Sequence, residues 1–179
     1  MSEYVFPDNT VLCNFAAVDR VNLLRAVLKG EGRWVEAVHG EAEKSAKHLP
    51  KLAAVLADGW LGKPIKLDSK KARSRIEDIR LDVFGGFEDE PTKHLGEAQT
   101  CYLIAESGRF NGSSWISDDR ESVQYAKGRG IATGETIDLM AAAVGAGLIS
   151  DQMAFDEMRL MKALGRHPRQ PRNLAELRR

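Results

Sequence analysis

The stretch Tyr4–Phe15, YVFPDNTVLCNF, decides how this chain is to be read. Its opening Tyr-Val-Phe has the aromatic and β-branched composition of a buried strand, and Pro7 with Asp8 ends the run. In an open α/β sheet, ligands gather outside the carboxyl ends of the strands. Asp8, just past such a strand, therefore directs attention to other acids in equivalent places.

Working outward, helix and strand signals alternate. Asp19 is the expected N-cap of a helix carrying Val21, Leu24, Val27 and Leu28 on one face and stopping at Gly30. RWVEAV (33–38) is a second short strand candidate. Between Gly40 and Asp58 the residues Ala42, Ala46, Leu49, Leu52, Ala53 and Leu56 recur at helical spacing, with Pro50 kinking or dividing the helix. GWLGKPIKLD (59–68) is a connection with a short extended piece, after which Asp68 or Ser69 caps a charged helix bearing Ala72, Ile76, Ile79 and Val83. FGGFEDEPT (84–92) is a loop, and its Thr92 is the expected cap of the helix KHLGEAQTCYLIAES. SWIS (114–117) and GIAT (130–133) are short strands, separated by a helix that Asp118 or Asp119 caps. Two helices follow, the second starting at Ser150 and stopping at Gly165.

This alternation predicts an α/β fold, a three-layer sandwich with a mainly parallel central sheet flanked by helices. One domain is expected over residues 1–165, leaving residues 166–179 as a basic tail, disordered or bound to a partner. The longest apolar run, Ile137–Ile149, contains Asp138 and is too short to cross a bilayer, so no membrane role is expected. The first residues carry neither a basic nor an apolar leader segment, and the expected setting is the reducing cytoplasm. Cys13 and Cys101 form no ligand pair and read as buried small hydrophobes, while His39, His48, His94 and His167 have no zinc spacing. No phosphate-binding glycine loop is present.

Charge is balanced overall but not locally. From Arg159 onward stand Arg159, Lys162, Arg166, Arg169, Arg172, Arg178 and Arg179 against the single acid Glu176. The acids of interest lie elsewhere: Asp8, Glu41 in WVEAVHGEAE, Glu97 in HLGEAQT, and Asp118 with Asp119 in SSWISDDRES. Each follows a strand signal or opens a helix, so they can share one rim. Several carboxylates in one place repel unless a cation joins them, and an oxygen-only donor set suits Mg²⁺ or Mn²⁺. Each also has a plainer reading: Glu41 has Glu36 and Glu43 as neighbours on what can be a solvated face, Glu97 gains from a helix N-terminus, and either Asp118 or Asp119 can be only a cap.

On VFPDNTVLCNF, AVHGEAEKS, HLGEAQ, ISDDRESVQYAKGRGIATGETIDLM and GLISDQMAFDEMRLMKALG, the chain resembles the PIN-domain family over most of residues 4–165. It departs from the family in having Asn9 where threonine is usual, with Thr10 keeping a hydroxyl nearby, and in placing Pro7 within the strand. The resemblance implies a Mg²⁺- or Mn²⁺-dependent endoribonuclease, often the toxin of a bacterial toxin–antitoxin pair. It implies Asp8, Glu41, Glu97 and Asp119 as the catalytic acids. Metal would be held by Asp8, Glu97 and either Asp118 or Asp119, with Glu41 a ligand or a neighbour of one. Thr10 and Ser117 would orient water or a phosphate oxygen, and hydrolysis in line would leave a 5′-phosphate and a 3′-hydroxyl. Arg159, Lys162, Arg166, Arg169 and Arg172 would bind backbone phosphate without regard to sequence, or else dock the tail on an acidic antitoxin or a second protomer in a homodimer. The competing reading keeps the fold as an inactive module that binds RNA or protein. A haloacid-dehalogenase-like phosphatase is disfavoured because Thr10 stands where its second aspartate would be.

Overall fold

The computed structural model describes residues 4–178; Met1–Glu3 and Arg179 lie outside the described residues. Three short parallel strands, β1 (Val5–Pro7), β2 (Ser114–Ile116) and β3 (Ala132–Gly134), pair in that order. Phe6 stands opposite Trp115, and Pro7 opposite Ile116, and all four side chains are buried. Successive residues of a strand point to opposite faces, so both faces of this sheet are covered. Around it are nine α-helices among the described residues: α1 (Asn9–Ala17), α2 (Val21–Leu28), α3 (Glu36–Ala46), α4 (Leu52–Asp58), α5 (Lys70–Asp78), α6 (Leu95–Ala105), α7 (Arg120–Gly128), α8 (Thr136–Gly145) and α9 (Asp151–Ala163). The expected mixed α/β architecture with a parallel sheet is present.

RWVEAV is not a full strand. Gly32 pairs in parallel with Val5, Val35 pairs in parallel with Ile65, and α3 begins at Glu36. The extended piece thus bonds to β1 on one edge and to the Ile65 segment on the other. Pro7 explains why the first contact stays a single bridge. Val5 donates to Glu31 O and accepts from Arg33 N–H, so the next rung on that edge would need an N–H from Pro7, which has none. On the β2 edge the ladder continues, with Asp8 N–H donating to Ile116 O at 2.8 Å.

The helix α1 is a correction to the sequence reading, which ran from the strand straight to a helix capped by Asp19. Val11–Ala16 are all buried, so the segment has no polar face for a periodicity to reveal. Asp19 does not cap α2; it has φ +57° and pairs with Lys51 at 2.9 Å, and Arg20 takes the cap position. Pro50 divides α3 from α4 as expected. Ser69 caps α5, Asp119 caps α7 and Ser150 caps α9, each accepting the N–H three residues on. Thr92 does not cap α6; that position belongs to His94, at φ +59°.

After α5 a five-residue π-helical turn, Ile79–Val83, buries Arg80 completely. Its guanidinium pairs with Glu77 through Nε and Nη2, while Nη1 donates to the carbonyls of Phe87, Glu90 and Lys93. Gly86 is required there, since a Cβ on it would lie 2.7 Å from Arg80 Nη1. The loop 84–93 is thereby wrapped around a buried cation immediately before α6.

The tail beyond Gly165 is also a correction. Leu177, in a 3₁₀ turn over Leu174–Leu177, is fully buried, and this turn packs on α8 and α9. Arg169 pairs with Glu135 and Glu176, and Arg178 with Asp151. The basic character read in the tail is in part neutralised by acids distant in sequence.

Candidate functional site

Asp8 follows β1 and occupies the N-cap position of α1, 5% exposed. Its Oδ2 accepts from Thr10 Oγ1 at 2.7 Å and, at a long 3.5 Å, from Ser117 Oγ, which follows β2. Burial pushes its carboxyl up to about 6, with the charge of Glu97 adding to the rise and the Thr10 hydroxyl opposing it.

Three acids were equally eligible on α3, and the structure separates them. Glu36 forms a surface ion pair with Lys66 at 3.4 Å, and Glu43 stands exposed, 3.8 Å from His39 Nδ1. Glu41 turns inward. Burial first, and then the charges of Asp8 and Glu97, push it up to about 8 against a small opposing pull from Lys44. Glu97 opens α6, where the helix N-terminus favours a carboxylate, and its Oε1 stands 3.3 Å from His94 Nδ1. Among the described residues no lysine or arginine forms an ion pair with Asp8, Glu41 or Glu97.

The helices that carry these acids are fastened by polar contacts the sequence did not advertise. Asn9 Nδ2 donates to Ser45 Oγ at 3.1 Å, tying the start of α1 to α3. Gln99 Oε1 accepts from Ala37 N–H at 3.0 Å, so α6 supplies a partner to the first turn of α3.

Asp118 and Asp119 take different parts. Asp118 Oδ1 accepts from Thr136 N–H at 3.0 Å, and Oδ2 from Asn14 Nδ2 at 2.7 Å and Thr136 Oγ1 at 2.5 Å. Both its oxygens are occupied in fastening α1 to the start of α8, and burial raises its carboxyl above the ordinary range. Asp119 is exposed; its Oδ1 accepts from Ser122 N–H at 2.7 Å, and among the described residues its Oδ2 accepts no hydrogen bond. The sequence alone does not mark Asn14 or Thr136 as part of this cluster. The one available signal was an amide in the middle of VLCNFAA, where every neighbour is apolar.

A pocket of about 270 Å³ lies beside these acids, lined by Thr10, Asn14, Asp118, Asp119, Gly165, Arg166 and His167. Of the five basic residues expected to meet nucleic acid, only Arg166 reaches it. Arg159 and Lys162 line a separate groove with Phe155 and Gln170, Arg172 is exposed, and Arg169 is engaged by two glutamates. Cys13 and Cys101 are buried, and burial pushes the Cys101 thiol up to about 12, which leaves it a core residue.

No family model, curated protein or solved structure matches this chain. No helix among the described residues is long and apolar enough to cross a membrane. Among the described residues no group of three or more His, Cys, Asp and Glu is arranged to hold a metal ion as it stands. The acids act on one another electrostatically without forming a closed ligand cage. The donor set itself, carboxylates with the hydroxyls of Thr10 and Ser117, is all oxygen and suits a hard divalent cation.

Proposed function

We propose that this chain is a PIN-like, Mg²⁺- or Mn²⁺-dependent hydrolase of RNA phosphodiester bonds. The observation that carries the reading is the convergence of Asp8, Glu41 and Glu97 from three elements, each within the field of another and none paired with lysine or arginine. Excess negative charge held in a partly buried place is destabilising by itself, and a divalent cation removes the repulsion. The position of Asp8 and Asp119 past the carboxyl ends of neighbouring parallel strands supports the same reading.

Asp8, Glu97 and Asp119 would hold the cation, with Glu41 beside them. Bound there, the cation would supply activation of water and relief of charge at phosphorus. Thr10, by donating to Asp8 Oδ2 at 2.7 Å, would help to orient that carboxylate. Burial and the charges of Asp8 and Glu97 push the Glu41 carboxyl up to about 8, so it would give up a proton more readily if a cation were held beside it. Asp118 serves here to fasten α1 to α8 rather than as a ligand.

The test compares wild type with Asp8→Asn and Glu97→Gln. Calorimetric titration with Mn²⁺ and cleavage of single-stranded RNA are measured alongside circular dichroism. Loss of both activities in both folded variants is expected. Equal cleavage in all three proteins, or no Mn²⁺ binding to wild type, would remove the assignment.

A further inference from the structure

Arg166 is set apart from the other cations of the chain by what it touches. It leaves α9 just past Gly165, and its Nε donates to Asn14 Oδ1 at 3.0 Å. Asn14 is 2% exposed and is itself held by Asp118 and Thr136, so the guanidinium is aimed by a buried and fully engaged amide. Its two Nη groups donate to no protein acceptor among the described residues. Asp118 and Asp119 line the same pocket, yet neither forms an ion pair with it. A half-buried guanidinium with one edge fixed and the other open has the fork geometry that matches two oxygens of a phosphate.

We infer that Arg166, oriented by Asn14, is a phosphate-binding group of the site, receiving a backbone phosphate of the substrate in the pocket between Thr10, Asp119 and His167. The inference rests on the phosphodiester reading above and narrows it. Contact with phosphate would come from one aimed arginine at the acid rim, not from a loose basic tail. Thr10, which lines this pocket, also donates to Asp8 Oδ2, so a phosphate held by Arg166 would lie on the Asp8 side of the molecule.

The experiment is a titration with inorganic phosphate, without divalent cation, followed on the arginine Nε–H resonances of the full chain. Arg166→Ala, Arg166→Lys and the remote control Lys71→Ala are titrated in parallel. The Arg166 signal is expected to shift saturably in wild type and in Lys71→Ala. Phosphate affinity should fall at least tenfold in Arg166→Ala and several-fold in Arg166→Lys, and RNA cleavage by the same variants should lose kcat/KM in the same order. Because Arg166→Lys keeps the charge and the stem, it reports even if the alanine variant is unfolded. A silent Arg166 signal, or a shift confined to Arg159 or Arg172, would overturn the inference. Cleavage that depends on Asp8 with a silent Arg166 sinks this inference alone. Phosphate binding at Arg166 without any cleavage sinks the nuclease reading and leaves the anion site standing.

Discussion

Glu41 lies so close to Gly96 that a methyl group on the glycine would stand 3.1 Å from Glu41 Oε1. The same methyl would stand 3.1 Å from Val38 Cγ2, on the buried side of α3. A glycine in a first helical turn is ordinarily improved by alanine. Here it is what allows α6, carrying Glu97, to approach α3, carrying Glu41.

Gly96→Ala is therefore expected to lose the advantage of up to about 1 kcal/mol that alanine gives a helix. Thermal unfolding should show no gain over wild type, and Mn²⁺ affinity should fall several-fold as Glu41 is displaced. A raised Tm with unchanged Mn²⁺ binding would contradict the close approach.

The cation-free protein should lose stability as pH rises. Asp8 and Glu41 both hold protons more tightly folded than unfolded, so protonation favours the fold. Their contribution is complete below about pH 4, where unfolded carboxyls titrate. It declines as pH rises through about 6 for Asp8 and about 8 for Glu41, by on the order of a few kcal/mol in all. Urea melts at pH 5 and pH 8.5 measure this, and excess Mn²⁺ should restore much of the loss at the higher pH. Flat stability across that range would mean that burial does not raise the two carboxyls.

Arg80→Met tests the wrapped loop. The substitution keeps an apolar stem but strands Glu77 and three loop carbonyls, part of which water can satisfy because Glu77 is 47% exposed. A loss of about 2–3 kcal/mol is expected from chemical denaturation. Limited proteolysis should cut first between 84 and 93. Unaltered stability would show that the loop is held by something else.

Leu177→Ala tests the docked tail. A fully buried leucine lost from a packed core costs about 2–5 kcal/mol, whereas one on a loose tail costs close to nothing. Denaturant unfolding distinguishes the two outcomes directly.

The alternation of strands and helices was readable in part because α5, α7 and α9 announce themselves by a cap or a stop. Ser69, Asp119, Ser150 and Gly165 did so, and the structure uses them. The helix α1 was hidden by its own burial, which leaves no polar stripe to mark the period. The site was legible only as far as residue type carries meaning. Glu41 could not be told from Glu36 and Glu43 until Lys66 and His39 were seen to occupy its rivals. Asp118 could not be told from Asp119 because the difference lies in Thr136, eighteen positions on, and in Asn14 across the sheet. The tail misled for a related reason. Counting its cations says nothing of Glu135 and Asp151, which folding brings to them.

The missing hydrogen of Pro7 has an effect beyond its own strand. Lacking a rung there, the Gly32–Val35 segment parts from β1 and turns away into α3 at Glu36. The sheet is forked there: Asp8 stays on the β2 side through its bond to Ile116, while the departing segment leads into α3, which carries Glu41. An alanine at position 7 would restore the missing donor and let the seam run one rung further before the chain departs for α3.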